Sequence, residues 1–68
     1  MAQSFDTLRN GHSYVIINQG EVVRFTLLEI RHESEYIIKD IDTLEVYNLF
    51  DLVRYGKGRD FDLYEIEQ

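Results

Sequence analysis

The stretch Glu21-Val22-Val23-Arg24-Phe25-Thr26-Leu27-Leu28-Glu29-Ile30-Arg31 decides how this chain folds. Val23, Phe25 and Leu27 fall on alternate positions, with Arg24 and Thr26 between them. From Leu28 onward the phase slips by one: Leu28 and Ile30 are apolar, Glu29 and Arg31 polar. Side chains of a strand alternate between two faces, so a slip of one residue carries the apolar set across the sheet. Eleven extended residues would run roughly 36 Å, long for so small a chain unless the strand bends. A bulge or kink at Leu27-Leu28 would turn the strand and let it serve two halves of a small closed sheet. The expectation is a small β-barrel.

The flanking segments supply the other strands. Asn10-Gly11 tolerates positive φ at both residues, which suits a tight hairpin turn. It would join a short strand near Phe5 to Leu8 to a second strand, Ser13 to Asn18, whose Tyr14-Val15-Ile16-Ile17 run favours extended chain. Asn18-Gln19-Gly20-Glu21 provides the next turn. After the polar break His32-Glu33-Ser34-Glu35, Tyr36 to Ile41 reads as a strand with Lys39 and Asp40 as its polar positions. Asp42-Thr43-Leu44 can turn the chain through Asx-type hydrogen bonds, although the Gly expected after Thr43 is missing, and Glu45-Val46-Tyr47 returns. The period then changes. Leu49, Leu52 and Val53 fall at i, i+3 and i+4, one face of a helical turn with Asn48 placed to cap it and Gly56 and Gly58 to end it. Phe61 to Ile66 closes the chain as a last strand. The sum is a mostly β domain over residues 1–68, of five or six antiparallel strands with one short helical turn before the last.

Size and charge narrow the possibilities. Sixty-eight residues allow one domain with one thin core, and with 44% apolar residues and nine aromatic rings most large side chains must be used in it. With no Cys, neither a disulfide nor a thiolate zinc site can reinforce it. No apolar run approaches the ~18 residues of a membrane span, and Met1-Ala2-Gln3-Ser4-Phe5 lacks the basic and apolar segments of a signal peptide. A cytoplasmic protein without membrane association is expected. Net charge is −6, with nine of the thirteen acids in residues 35–68. An acidic chain repels phosphates at long range, which favours protein over nucleic acid as partner unless a local basic patch intervenes.

The layout of residues 21–66 resembles the SH3-like small barrels, and in particular their Tudor-like branch. The resemblance rests on the bent strand, the segment Tyr36-Ile37-Ile38-Lys39-Asp40, the turn, Glu45-Val46, and the helical turn through Leu49 and Leu52 before a closing strand. It implies a module that binds peptides, methylated side chains or RNA, or that serves in assembly. Four aromatics cannot be placed on the two loops that would form a methyl-reading cage, so this chain departs from that subset.

Several constellations carry chemistry. Arg54-Tyr55-Gly56-Lys57-Gly58-Arg59 gathers three of the seven bases within six positions. Its glycines would let backbone N–H groups approach an anion, and Tyr55 could stack on a base or a guanidinium. The alternative is a flexible loop whose cations balance Asp51, Asp60 and Asp62. The phosphate-loop pattern is absent. Asp40, Asp42 and Glu45 share part of the spacing of a Ca²⁺ site but lack its third acid and Gly, which leaves turn chemistry and a solvated face. His12 and His32 sit beside turns, and Ser13 and Ser34 carry no nucleophile-elbow motif, so catalysis is not expected. No cofactor or metal is implied. Phe5, Phe25 and Phe61 are assigned to the core. Tyr36, Tyr47, Tyr55 and Tyr64 are candidates for a shared surface, and Phe50 falls off the helical face. Tyr47, Phe50, Arg54, Tyr55, Lys57 and Arg59 would then form an aromatic and basic binding surface. Its expected ligand is a protein or peptide, with strand addition at a barrel edge as one mode. RNA or single-stranded DNA, or a homodimer that buries the patch, are the alternatives.

Overall fold

The computed structural model describes residues 4–66. Five strands are present, β1 (Ser13–Asn18), β2 (Glu21–Arg31), β3 (Glu35–Asp40), β4 (Val46–Asn48) and β5 (Asp62–Glu65), all paired antiparallel in one sheet of order β4-β3-β2-β1-β5. A 3-10 turn, Leu49–Val53, leads from β4 towards β5. The mostly β character, the five antiparallel strands and the helical turn before the last one are as the sequence predicts. The expected closure differs: β4 and β5 end the strand order and do not pair, so the sheet is open rather than a hydrogen-bonded cylinder. At three and four residues these edge strands are short. Among the described residues no helix is long and apolar enough to cross a membrane.

The phase slip in β2 is a bulge. Pairing with β3 runs from Leu27↔Ile38 to Glu29↔Ile37 and leaves Leu28 without a partner. The extra residue resets the alternation, so Ile30 stands opposite Tyr36 on the face that also carries Leu27 and Ile38. The bulge thus keeps the apolar set on one side, and Leu28 is left 43% exposed. That inner face holds the core: Tyr14, Ile16, Phe25, Leu27, Ile38 and Leu63 from the strands, with Leu49 from the 3-10 turn. Tyr14 is buried whole because its hydroxyl finds a partner, accepting the Arg9 N–H at 2.9 Å.

Turn chemistry explains where the chain reverses. Gln19 and Gly20 both have positive φ (50° and 81°), and Asn18 pairs with Glu21, so β1 and β2 are joined by a two-residue type I′ hairpin. Asn10-Gly11 does not make a hairpin. The expected strand near Phe5 to Leu8 is a 3-10 turn, Phe5–Thr7, in which the Ser4 carbonyl accepts from both the N–H and the hydroxyl of Thr7. Only Gly11 of that pair has positive φ, the pattern of a type II turn, and its N–H donates to the Leu27 carbonyl at 2.7 Å. The turn is thereby docked beside the bulge. In the β3–β4 turn the Asx acceptor is Asp40 rather than Asp42. Asp40 is buried, and its Oδ1 accepts from the N–H groups of Asp42 (2.8 Å) and Thr43 (3.0 Å). Leu44 takes the left-handed position (φ 65°) where the sequence lacks a glycine.

Candidate functional site

Asn18, the last residue of β1, organises the loop that carries the basic segment. It is buried, and its Nδ2 donates to the carbonyls of Leu52 and Gly56, both at 3.1 Å, while its Oδ1 accepts from Gly58 N–H at 2.7 Å. Gln19 adds a bond from Nε2 to the Gly56 carbonyl at 3.0 Å. Asp60 answers from the loop: its two carboxylate oxygens accept the N–H groups of Gln19 and Gly20, each at 2.8 Å. Those two amides hold the Asp60 carboxyl below its usual range. The segment is therefore fastened to the β1–β2 hairpin tip from both sides and is not a loose loop.

The glycines serve this fastening. Gly56, at φ 93°, gives its N–H to the Val53 carbonyl at 2.9 Å and ends the 3-10 turn. A Cβ on Gly58 would lie 2.9 Å from Gln19 Cγ and 3.0 Å from Asp60 Oδ1, so the backbone approaches the hairpin and not an anion. Both amides are used inside the chain. The 3-10 turn begins as its sequence predicts, with Asn48 Oδ1 accepting from Phe50 N–H at 3.0 Å.

The six candidate residues separate into three groups. Tyr47 lies on the inner side of β4, half-buried, and its hydroxyl donates to Asp40 Oδ2 at 3.3 Å. Burial, and next the Asp40 carboxylate, push its pKa up to about 12. Phe50 packs its ring against Phe5 (5.3 Å between centroids) and edge-on against Tyr36 (5.5 Å). Lys57 joins that group, its Nζ lying 4.7 Å from the Phe61 centroid and 5.1 Å from that of Phe5, where the ring faces attract a cation. The third group is at the hairpin. Arg54 pairs with Asp51 at 3.3 Å, and Tyr55 is 85% exposed. Arg59 is exposed and, among the described residues, makes no ion pair.

The four tyrosines do not share a surface. Strand alternation turns Tyr36 and Tyr47 inward, where Tyr36 is buried, and Tyr64 outward on β5; only Tyr55 stands on the loop. Phe25 is fully buried, as expected, whereas Phe5 and Phe61 are half-buried at the core's margin beneath Lys57.

Two clefts remain. One, of about 220 Å³, is lined by Gly11, His12, Ser13, Glu65 and Ile66. In it His12 Nδ1 pairs with Glu65 at 3.0 Å, and Ser13 Oγ pairs with Thr26 Oγ1 at 2.8 Å, not with the imidazole. The other, of about 210 Å³, lies between the hairpin tip and the 3-10 turn, where Asn18, Gln19 and Glu21 face Asp51, Leu52 and Arg54, with Tyr55 and Gly56 completing it. Asp40 and Asp42 do not act together: Asp40 holds turn amides, and Asp42 takes two hydrogen bonds from Arg24, whose guanidinium keeps that carboxyl below its usual range.

Sequence reasoning missed Asn18, Gln19 and Asp60 as determinants of the site. The first two read as turn residues and Asp60 as a counter-charge. Their partners lie 34 to 41 positions away, beyond the reach of local spacing. No family model matches the chain, and no curated protein or solved structure is similar to it.

Proposed function

We propose that this domain is a non-catalytic binding module that takes a short extended peptide in the cleft beside Tyr55. One observation carries the reading: an aromatic ring 85% exposed stands on a loop whose backbone is fixed by Asn18, Gln19 and Asp60. An exposed ring on a rigid support offers contact area with little ordering cost on binding. Charge suggests the ligand. Arg54 is engaged by Asp51, whereas Glu21 has no ion-pair partner among the described residues, so the cleft suits a peptide with a basic side chain. The strand order, with a 3-10 turn before a last strand that returns beside β1, is in keeping with an SH3-like relationship.

Contact with RNA or single-stranded DNA has less support. Arg54 is paired, Lys57 lies over two rings, and the loop glycine amides are engaged, which leaves Arg59 on a chain of net charge −6. The hydroxyl and imidazole of Ser13 and His12 are likewise engaged with other partners and not each other, which favours binding over catalysis.

Selection of a phage-displayed peptide library on the protein, followed by NMR titration of the enriched peptides, tests the proposal. Enriched sequences should carry Lys or Arg, shift the amides of Gln19, Tyr55 and Gly56, and lose at least about tenfold in affinity with Tyr55→Ala. Failure to enrich any sequence, or shifts confined to other parts of the sheet, would sink it. Oligonucleotide binding by fluorescence anisotropy at low salt would replace it with the nucleic-acid reading.

A further inference from the structure

We infer that the outer face of the sheet is where two copies of this chain meet. The core takes Tyr14 and Ile16 from β1, and the opposite face of that strand carries Val15, buried at 7% exposure within one chain, and half-buried Ile17. A strand with one solvated face alternates apolar and polar residues; a run apolar on both sides belongs to a strand covered on both. The ladder extends this character sideways. Val22 stands opposite Ile17, and Tyr64 opposite Val15. Val22 is 63% exposed, and Tyr64 is exposed as well. Towards β3 the row of Val15 continues through Arg24 to Ile41, whose N–H donates to the Arg24 carbonyl at 2.9 Å.

Leu44 is an independent sign. It holds a left-handed backbone that disfavours any branched side chain, and that side chain is 65% exposed. Its side chain is not packed within one chain, and exposed Ile41 and Val46 flank it in sequence. Strain of this kind accompanies a surface with a role.

Charge selects the occupant. This face carries Arg24, Arg31 and Lys39 with Glu29, Glu35 and Asp62, and Asp42 pairs with Arg24, three bases against four acids on a chain of net charge −6. About a two-fold axis the bases of one copy can face the acids of the other. A stable interface takes roughly 800 Å² from each partner, about one sixth of the 4784 Å² this chain exposes.

Sedimentation equilibrium of the full chain, from about 1 µM to about 1 mM, is the test. A dimer is expected, with a mass of twice 8.1 kDa. Val22→Asp should weaken it at least about tenfold, and Leu44→Gly, which suits the backbone better than leucine, should weaken it without loss of the folded NMR spectrum. Tyr55→Ala should leave it unchanged, which separates this interface from the peptide cleft. An 8.1 kDa species at every concentration overturns the inference. So does a dimer indifferent to both Val22→Asp and Leu44→Gly.

Discussion

Leu44 sits at φ 65°, where a Cβ crowds the following carbonyl at a cost of about 1–2 kcal/mol. Leu44→Gly relieves that cost but enlarges the freedom of the unfolded chain, so a net gain of about 0.5–1 kcal/mol is expected. Thermal unfolding at a concentration where sedimentation shows the 8.1 kDa species should show a Tm higher by roughly 2–8 °C. Tyr47 makes a different prediction. Its neutral form is held by burial and by the hydrogen bond to Asp40, so it keeps its proton up to about pH 12 in the fold. The unfolded chain releases it near pH 10. Between those values the native state binds more protons than the unfolded one, so stability falls as pH rises from about 10 to 12. Ultraviolet difference titration should find tyrosine ionisation extending above the ordinary range; a single common transition near pH 10 would contradict the buried contact.

The β2 bulge can be tested at the scale of the element. Leu27 is fully buried and Leu28 is the unpaired extra residue. Leu27→Ala should cost about 3–4 kcal/mol through lost transfer energy and a cavity, whereas Leu28→Ala should cost under about 1 kcal/mol. Deletion of Leu28 removes the bulge without exchanging the faces. Leu27 and Ile30 stay inward with Glu29 outward between them, so denaturant melts should keep a single cooperative transition, at a cost set by the lost local twist. The bulge was legible in the sequence because a phase slip of period two has few remedies. The type I′ hairpin was less so: Asn10-Gly11 is the stronger motif by composition, yet Gln19-Gly20 forms the hairpin. What decided it lies outside the turn, in the strands on either side. Tyr14 to Asn18 can pair with Glu21 to Phe25, whereas the segment before Asn10 has the Ser4 and Thr7 hydrogen bonds of a 3-10 turn. The Asx acceptor was shifted to Asp40 for a related reason. A residue read as a polar strand position is drawn inward when its carboxylate can collect two turn amides and a tyrosine hydroxyl.

Across the whole molecule, 27 × 27 × 23 Å in extent, the margin of stability is small and the charge is unbalanced. Asp60 makes the margin sensitive to acid. Its folded pKa lies below the unfolded value, so its contribution is complete above the ordinary carboxylate range and is lost as pH falls through the folded pKa. Hydrogen exchange at pH below 3.8 should therefore show early opening at Gln19 and Gly20, and Asp60→Ala should reproduce it at neutral pH. The six candidate binding residues were chosen from sequence by chemical type, and the fold scattered them because type does not determine which side of a strand or turn a residue occupies. The three bonds of Asn18 have a kinetic corollary. They span 34 to 40 positions, so they can close only after the hairpin and the last third of the chain have found each other. Asn18→Ala should cost about 2–3 kcal/mol at equilibrium. In stopped-flow chevrons nearly all of it should enter the unfolding limb, with the refolding limb unmoved, making this side chain a brake on escape from the native state and not a guide into it.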